Sequence, residues 1–64
     1  CRAAIHFELA ELYRDARDRD GALEHLVSAY GLARSYPLPK LLPAIVERLH
    51  ELSPKTLFEL LLER

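Results

Sequence analysis

Apolar residues recur at three- and four-residue steps along most of this chain, and three interruptions divide the pattern into four segments. From Ala3 to about Ala16 one apolar set is Ala3, Ile5, Leu9, Leu12 and Ala16, and a second is Phe7, Ala10 and Tyr13. That spacing predicts an amphipathic helix, built mostly from strong helix formers without Gly or Pro. The run Arg14-Asp15-Ala16-Arg17-Asp18-Arg19-Asp20-Gly21 breaks the period and predicts a tight turn near Arg17. Asp18 and Asp20 are N-cap candidates for a second helix starting near Asp18. Its apolar set is Ala22, Leu23, Leu26, Val27, Ala29, Tyr30, Leu32 and Ala33, and Gly21 removes bulk where two backbones could approach.

Ser35-Tyr36-Pro37-Leu38-Pro39 ends that helix, because neither proline can continue it. A third helix is expected from about Lys40 to Leu52, with Leu42, Ile45, Val46, Leu49 and Leu52 as its stripe and Pro43 tolerated in its first turn. Ser53-Pro54 then restarts the chain as N-cap and first helical residue of a fourth helix reaching Arg64. Nothing alternates with a strand period. The fold class is therefore all-α, with about four helices in antiparallel hairpins and one domain over residues 1–64.

Composition narrows the possibilities. The chain has 64 residues, 50% apolar and 30% charged, with a net charge of −1. That is a globular balance on a chain too short to bury a large core. A single cysteine, Cys1, excludes an internal disulfide as the missing support. Acidic and basic residues are interleaved, so the basic stripe of a nucleic-acid binder is missing. No apolar run is long enough for a membrane span, and the expected setting is cytoplasmic. The chain does not begin with Met, which suits a fragment or a processed chain. A lipoprotein start at Cys1 is disfavoured, because the helical pattern begins at once, without a polar tether.

The first two segments carry a more specific spacing: His6-x2-Leu9-Ala10-x2-Tyr13, eight residues, then Ala22-x3-Leu26-x2-Ala29. This resembles the tetratricopeptide repeat, in which small residues sit where two helices cross and large ones fill the space around them. The resemblance covers Ala3 to Ala33, with residues 3–35 as the repeat unit. It implies hairpins stacked with a right-handed twist and a role in binding other proteins. His6 stands where the family prefers Trp or another large residue, and Arg17 where it often has Gly. Pro37 and Pro39 come later than its closing proline. Residues 40–64 form a degenerate repeat or capping helices. A shift of about 36 residues maps Ala10 onto Val46 and Ala22 onto Phe58, both bulky for close crossings.

Motifs with chemical potential are few. His6 occupies a core position, and His25 lies beside Glu24, whose side chain points elsewhere on a helix. His50-Glu51 opens like a zinc protease motif but lacks the second histidine. Glu47-x-x-His50 matches one quarter of a di-iron carboxylate site, so a metal-binding bundle would need a second copy of the chain, with Glu8, Glu11 or Glu24 as further ligands. Cys1, Ser28, Ser35 and Ser53 lack the surroundings of a nucleophile. Catalysis, a cofactor and a resident metal are therefore not expected. A helix-turn-helix in the second half would offer only Lys55 and Arg64 as bases on its recognition helix.

The resemblance places ligands against the first helix of a repeat, here Ala4, Phe7, Glu11, Arg14 and Asp15. Phe7 would either anchor a partner or pack against a neighbouring repeat or the fourth helix. With Phe7 and Glu11 in place, the clamp that some family members use for a C-terminal carboxylate is missing. The alternating charges from Arg14 to Asp20 suit a docking patch or simply a solvated turn. The last helix is apolar nearly all round, so Leu57, Phe58, Leu61 and Leu62 are expected at an assembly interface. The partners expected are a protein or peptide, a second copy, or neighbouring repeats, with neither nucleic acid nor membrane.

Overall fold

A computed structural model describes residues 1–63. It contains helices α1 (Arg2–Asp15), α2 (Arg19–Ser35), α3 (Leu41–Leu52) and α4 (Pro54–Leu62), and no strand among the described residues. The fold is all-α. α1 packs on α2 along most of its length, α2 on α3, and α3 on α4. α2 is thus the middle of the packing, with α1 on one side and the second hairpin on the other. The last helix ends at Leu62, with Glu63 extended as its C-cap, short of the expected end at Arg64, which itself lies outside the described residues.

Short-range chemistry sets the turns. After α1 the Arg17 N–H donates to the Arg14 carbonyl at 2.9 Å, and the Asp18 N–H donates to the Tyr13 carbonyl at 2.8 Å. This pair of bonds is a Schellman closure, which requires a left-handed residue between the two helices. Arg17 supplies it with φ 63°. The next residue, Asp18, caps α2 by accepting from the Gly21 N–H at 3.0 Å. Gly21 is required here by space: a Cβ would come within 2.8 Å of both the Asp18 carboxylate and the Tyr13 ring.

The second turn pair repeats this logic with other residues. The Leu38 carbonyl accepts from the Leu41 and Leu42 N–H groups, which lets α3 start without a side-chain cap. Ser53 is buried and caps α4 through the Thr56 N–H at 3.2 Å, with Pro54 at the first helical position. Asp18 and Ser53, the two caps, stand 35 residues apart. The starts of the second and fourth helices thus align at 35 residues rather than the 36 of the sequence comparison. Under the longer shift Phe58 would take the place of the fully buried Ala22, whereas Phe58 is exposed and Leu57 is buried instead.

The buried face of the first hairpin is mostly alanine: Ala3 and Ala10 on α1, and Ala22, Ala29 and Ala33 on α2. The bulk of the core comes from Leu26, Ile45 and Leu49, all at 0% exposure, with Tyr30, Leu57 and Leu60 around them. Two arginines of α2 tie the second hairpin down through its carbonyls, Arg19 to Leu52 at 2.8 Å and Arg34 to Glu63 at 3.1 Å. Across the first hairpin His6 and His25 share a hydrogen bond, Nδ1 to Nδ1, at 3.0 Å. His6 is thus half-buried, as its core position implied.

α1 departs from the simple amphipathic expectation. Ile5, Leu12 and Tyr13 are exposed, although each belongs to an apolar set of that helix. The reason is angular. Ala3, Phe7 and Ala10 lie on one side of the helix, and Ile5, Leu9, Leu12 and Ala16 form a row on the opposite side. Only the first side meets the chain's own core.

Replacing Arg17 by Gly should stabilise the chain by about 1 kcal/mol, because the left-handed conformation costs an L-residue about that much. Urea unfolding of the two chains checks it; an unchanged or lower midpoint would mean that the turn does not hold Arg17 in that conformation.

Candidate functional site

The residues expected to meet a partner run along the side of α1 that turns toward α3. Ala4 and Phe7 form its apolar end, and Glu11, Arg14 and Asp15 its charged end. Phe7 is half-buried and packs against the core cluster, so its ring is partly committed to the chain's own interior. Ala4 borders a shallow apolar groove of about 410 Å³ with Cys1, Leu38, Pro39 and Leu41.

At the charged end the structure brings in two residues of α3: Arg48, which no sequence motif marks, and Glu51, which the sequence marks only as part of an incomplete zinc motif. The Arg48 guanidinium donates to both carboxylate oxygens of Glu11, from Nε at 2.6 Å and from Nη2 at 3.0 Å. Its remaining nitrogen, Nη1, donates to Glu51. Arg14 lies between the same acids, 3.5 Å from Glu51 and 3.7 Å from Glu11, and 3.4 Å from Asp15. The planar fork of arginine matches a carboxylate at two points, which fixes orientation as well as distance. α1 and α3 are therefore latched by an oriented contact, although each packs mainly on α2.

The electrostatics follow from that geometry. The pKa of Arg48 is raised above that of an ordinary arginine, chiefly by its hydrogen bond with Glu11. Burial acts in the opposite direction, and the Glu51 bond and the charges of both acids add to the rise. Arginine is not deprotonated in proteins, so Arg48 keeps its charge. Arg14 and Arg48 oppose Glu11, Asp15 and Glu51, so the cluster is nearly balanced with one negative charge in excess. Such a cluster offers a partner directional polar contacts rather than a strong field. The candidate face is thus an apolar strip leading into a paired charge network.

Neither Arg48's nor Glu51's role beside Glu11 is readable from the sequence, because it lies across a helix boundary. Their three-residue spacing on one helix was visible, but the Glu11 opposite them depends on how α3 lies against α1. The periodicity of one helix carries no information on that.

The residues expected at an assembly interface divide. Leu57 is buried in the chain's own core, whereas Phe58, Leu61 and Leu62 are exposed together on α4. On α1, Leu9, Leu12, Tyr13 and Ala16 line another shallow depression of about 310 Å³. Glu47 and His50 are both exposed on α3.

Replacing Arg48 by Ala should lower stability by about 1 kcal/mol, and by less at high salt, since partly exposed ion pairs are screened. Arg48→Lys should recover only part of the loss because it cannot form the fork. Equal stability of Arg48→Lys and the parent would show that orientation contributes nothing. Compared with known proteins, the chain matches no family model, no curated protein and no solved structure.

Proposed function

We propose that this chain is a protein-interaction module without catalytic activity, working as a pair of stacked helical hairpins within a larger assembly. The observation that carries the proposal is the apolar surface left uncovered at two places. Leu12 is 65% exposed on α1, beside Ile5, and Phe58 and Leu62 are 62% and 65% exposed on α4, beside Leu61. Single exposed apolar residues are ordinary, but aligned groups of them mark contact surfaces. Ile5, Leu9, Leu12 and Ala16 follow four-, three- and four-residue steps, the spacing of a helix–helix seam.

The resemblance of Ala3–Ala33 to a tetratricopeptide repeat supports the same function, with the second hairpin as a degenerate or capping unit. Stacked repeats bury their apolar faces only against neighbours, and a short stack leaves them open. The α1 strip of Ala4, Phe7, Glu11, Arg14 and Asp15, extended by Arg48 and Glu51, is the surface we assign to a peptide or protein ligand. We place the module in the cytoplasm. No helix among the described residues is long and apolar enough to cross a membrane. No observation favours the alternative, a bundle holding metal through Glu47 and His50. The second helix of the last hairpin, rich in leucine with Lys55 as its described base, does not favour nucleic acid either.

Sedimentation of the isolated 64-residue chain tests the proposal. It should associate as concentration rises, and Leu12→Glu should shift it toward the monomer while helicity at high concentration persists. A monomer with one sharp, concentration-independent unfolding transition would contradict it.

A further inference from the structure

The hydrogen-bonded histidines at the centre of the first hairpin are used by none of the functions above. His6 and His25 come from antiparallel helices, and their Nδ1 atoms lie 3.0 Å apart. The ring centroids are 5.2 Å apart and the planes tilted by 32°. On its other side His25 stacks on Tyr13, at 5.3 Å and 16°. Tyr13 in turn lies against the Gly21–Asp18 turn. The pair is thus held by packing from both helices, and both rings remain partly open to solvent.

As it stands, one imidazole donates and the other accepts, so the two nitrogens converge on one proton. We propose that a first-row transition-metal ion can take that proton's place, held by Nδ1 of His6 and Nδ1 of His25. The rings meet nearly end to end, so each must turn to aim its Nδ1 at a shared ion lying off the line between them. Once they do, the spacing favours one kind of ion. With metal–nitrogen bonds of about 2.1 Å, nitrogens 3.0 Å apart subtend roughly 90° at the metal. That is the angle between neighbouring ligands of a square-planar or octahedral ion, and it is narrower than the tetrahedral angle zinc prefers. Imidazole donors in that geometry suit Cu²⁺ and Ni²⁺. Among the described residues no group of three or more His, Cys, Asp or Glu is arranged to hold a metal. Water would therefore fill the other positions, giving an open, exchangeable site.

The site differs from the Glu47/His50 possibility in helices, ligands and stoichiometry, since it needs no second copy. The test uses the 64-residue chain with Cys1→Ser, which removes the competing thiol and keeps His50 as an internal control. Titrated with Ni²⁺, the imidazole proton signals of His6 and His25 should broaden at substoichiometric metal, before those of His50. Titrated with Cu²⁺, the chain should bind one ion and show coupling to two imidazole nitrogens in its electron paramagnetic spectrum. His6→Gln and His25→Gln should each weaken binding by about tenfold or more. Equal broadening of all three histidines would overturn the site, as would single-nitrogen coupling. The nuclear and electron spectra are recorded on the chain with both histidines present, so they decide the matter even if a glutamine variant fails to fold.

Discussion

The buried positions of the α1–α2 hairpin are mostly alanines, and the close approach of the two helices positions the other elements. Ala3, Ala10, Ala22, Ala29 and Ala33 are all essentially sealed from solvent. Small side chains let two helix backbones approach closely, so that residues on either flank of the seam come into reach of each other. The His6–His25 bond lies on one flank. The Glu11–Arg48 latch lies on the other, where α3 settles against the hairpin. A larger residue in the seam would move α1 outward and separate both pairs, because close-packed interiors absorb extra volume poorly.

Alanine supplies closeness but little apolar area, so the stabilising burial comes from the few large side chains around it. Leu26, Ile45 and Leu49 are the largest fully buried residues, each worth roughly 1.5–3 kcal/mol of burial. A chain of this size has few such residues to set against the entropy of ordering its backbone. The uncovered apolar groups on α1 and α4 are therefore the main reserve of further stabilisation. In the function we propose, a partner covers them, and binding and stability become linked.

Most of the local structure was legible in the residues. Asp18 and Ser53-Pro54 mark helix starts through capping chemistry, and the two prolines after Tyr36 mark an end. These signals act over a few residues and hardly depend on the rest of the fold. Arg17 was legible in part: it stands where Gly is common in the resembling family, and the structure shows why, through its left-handed backbone. What lay hidden were relations between helices. Leu12 and Ile5 belong to an apolar set of α1 yet are exposed, because periodicity reports that a face is apolar, not whether anything covers it. The 36-residue comparison put Phe58 opposite Ala22 because apolar positions of the short α4 fit either phase, whereas its cap aligns with that of α2 at 35 residues. Of the candidate site, Glu11, Arg14 and Asp15 were named beforehand, but their counterparts Arg48 and Glu51 come from a helix that no motif joins to α1.

α2 is the middle of the structure, sealed by the alanine-lined face of the first hairpin on one side and the second hairpin on the other. Hydrogen exchange of individual backbone amides tests this most directly, because protection reports the free energy of opening at each position. The slowest amides should be those of Leu26, Ala29 and Ala33 in α2, followed by Ala10 in α1 and Leu49 in α3, with the outer turn of α4 exchanging fastest among the helices. Uniform, weak protection across all four helices, or the strongest protection in α4, would contradict it.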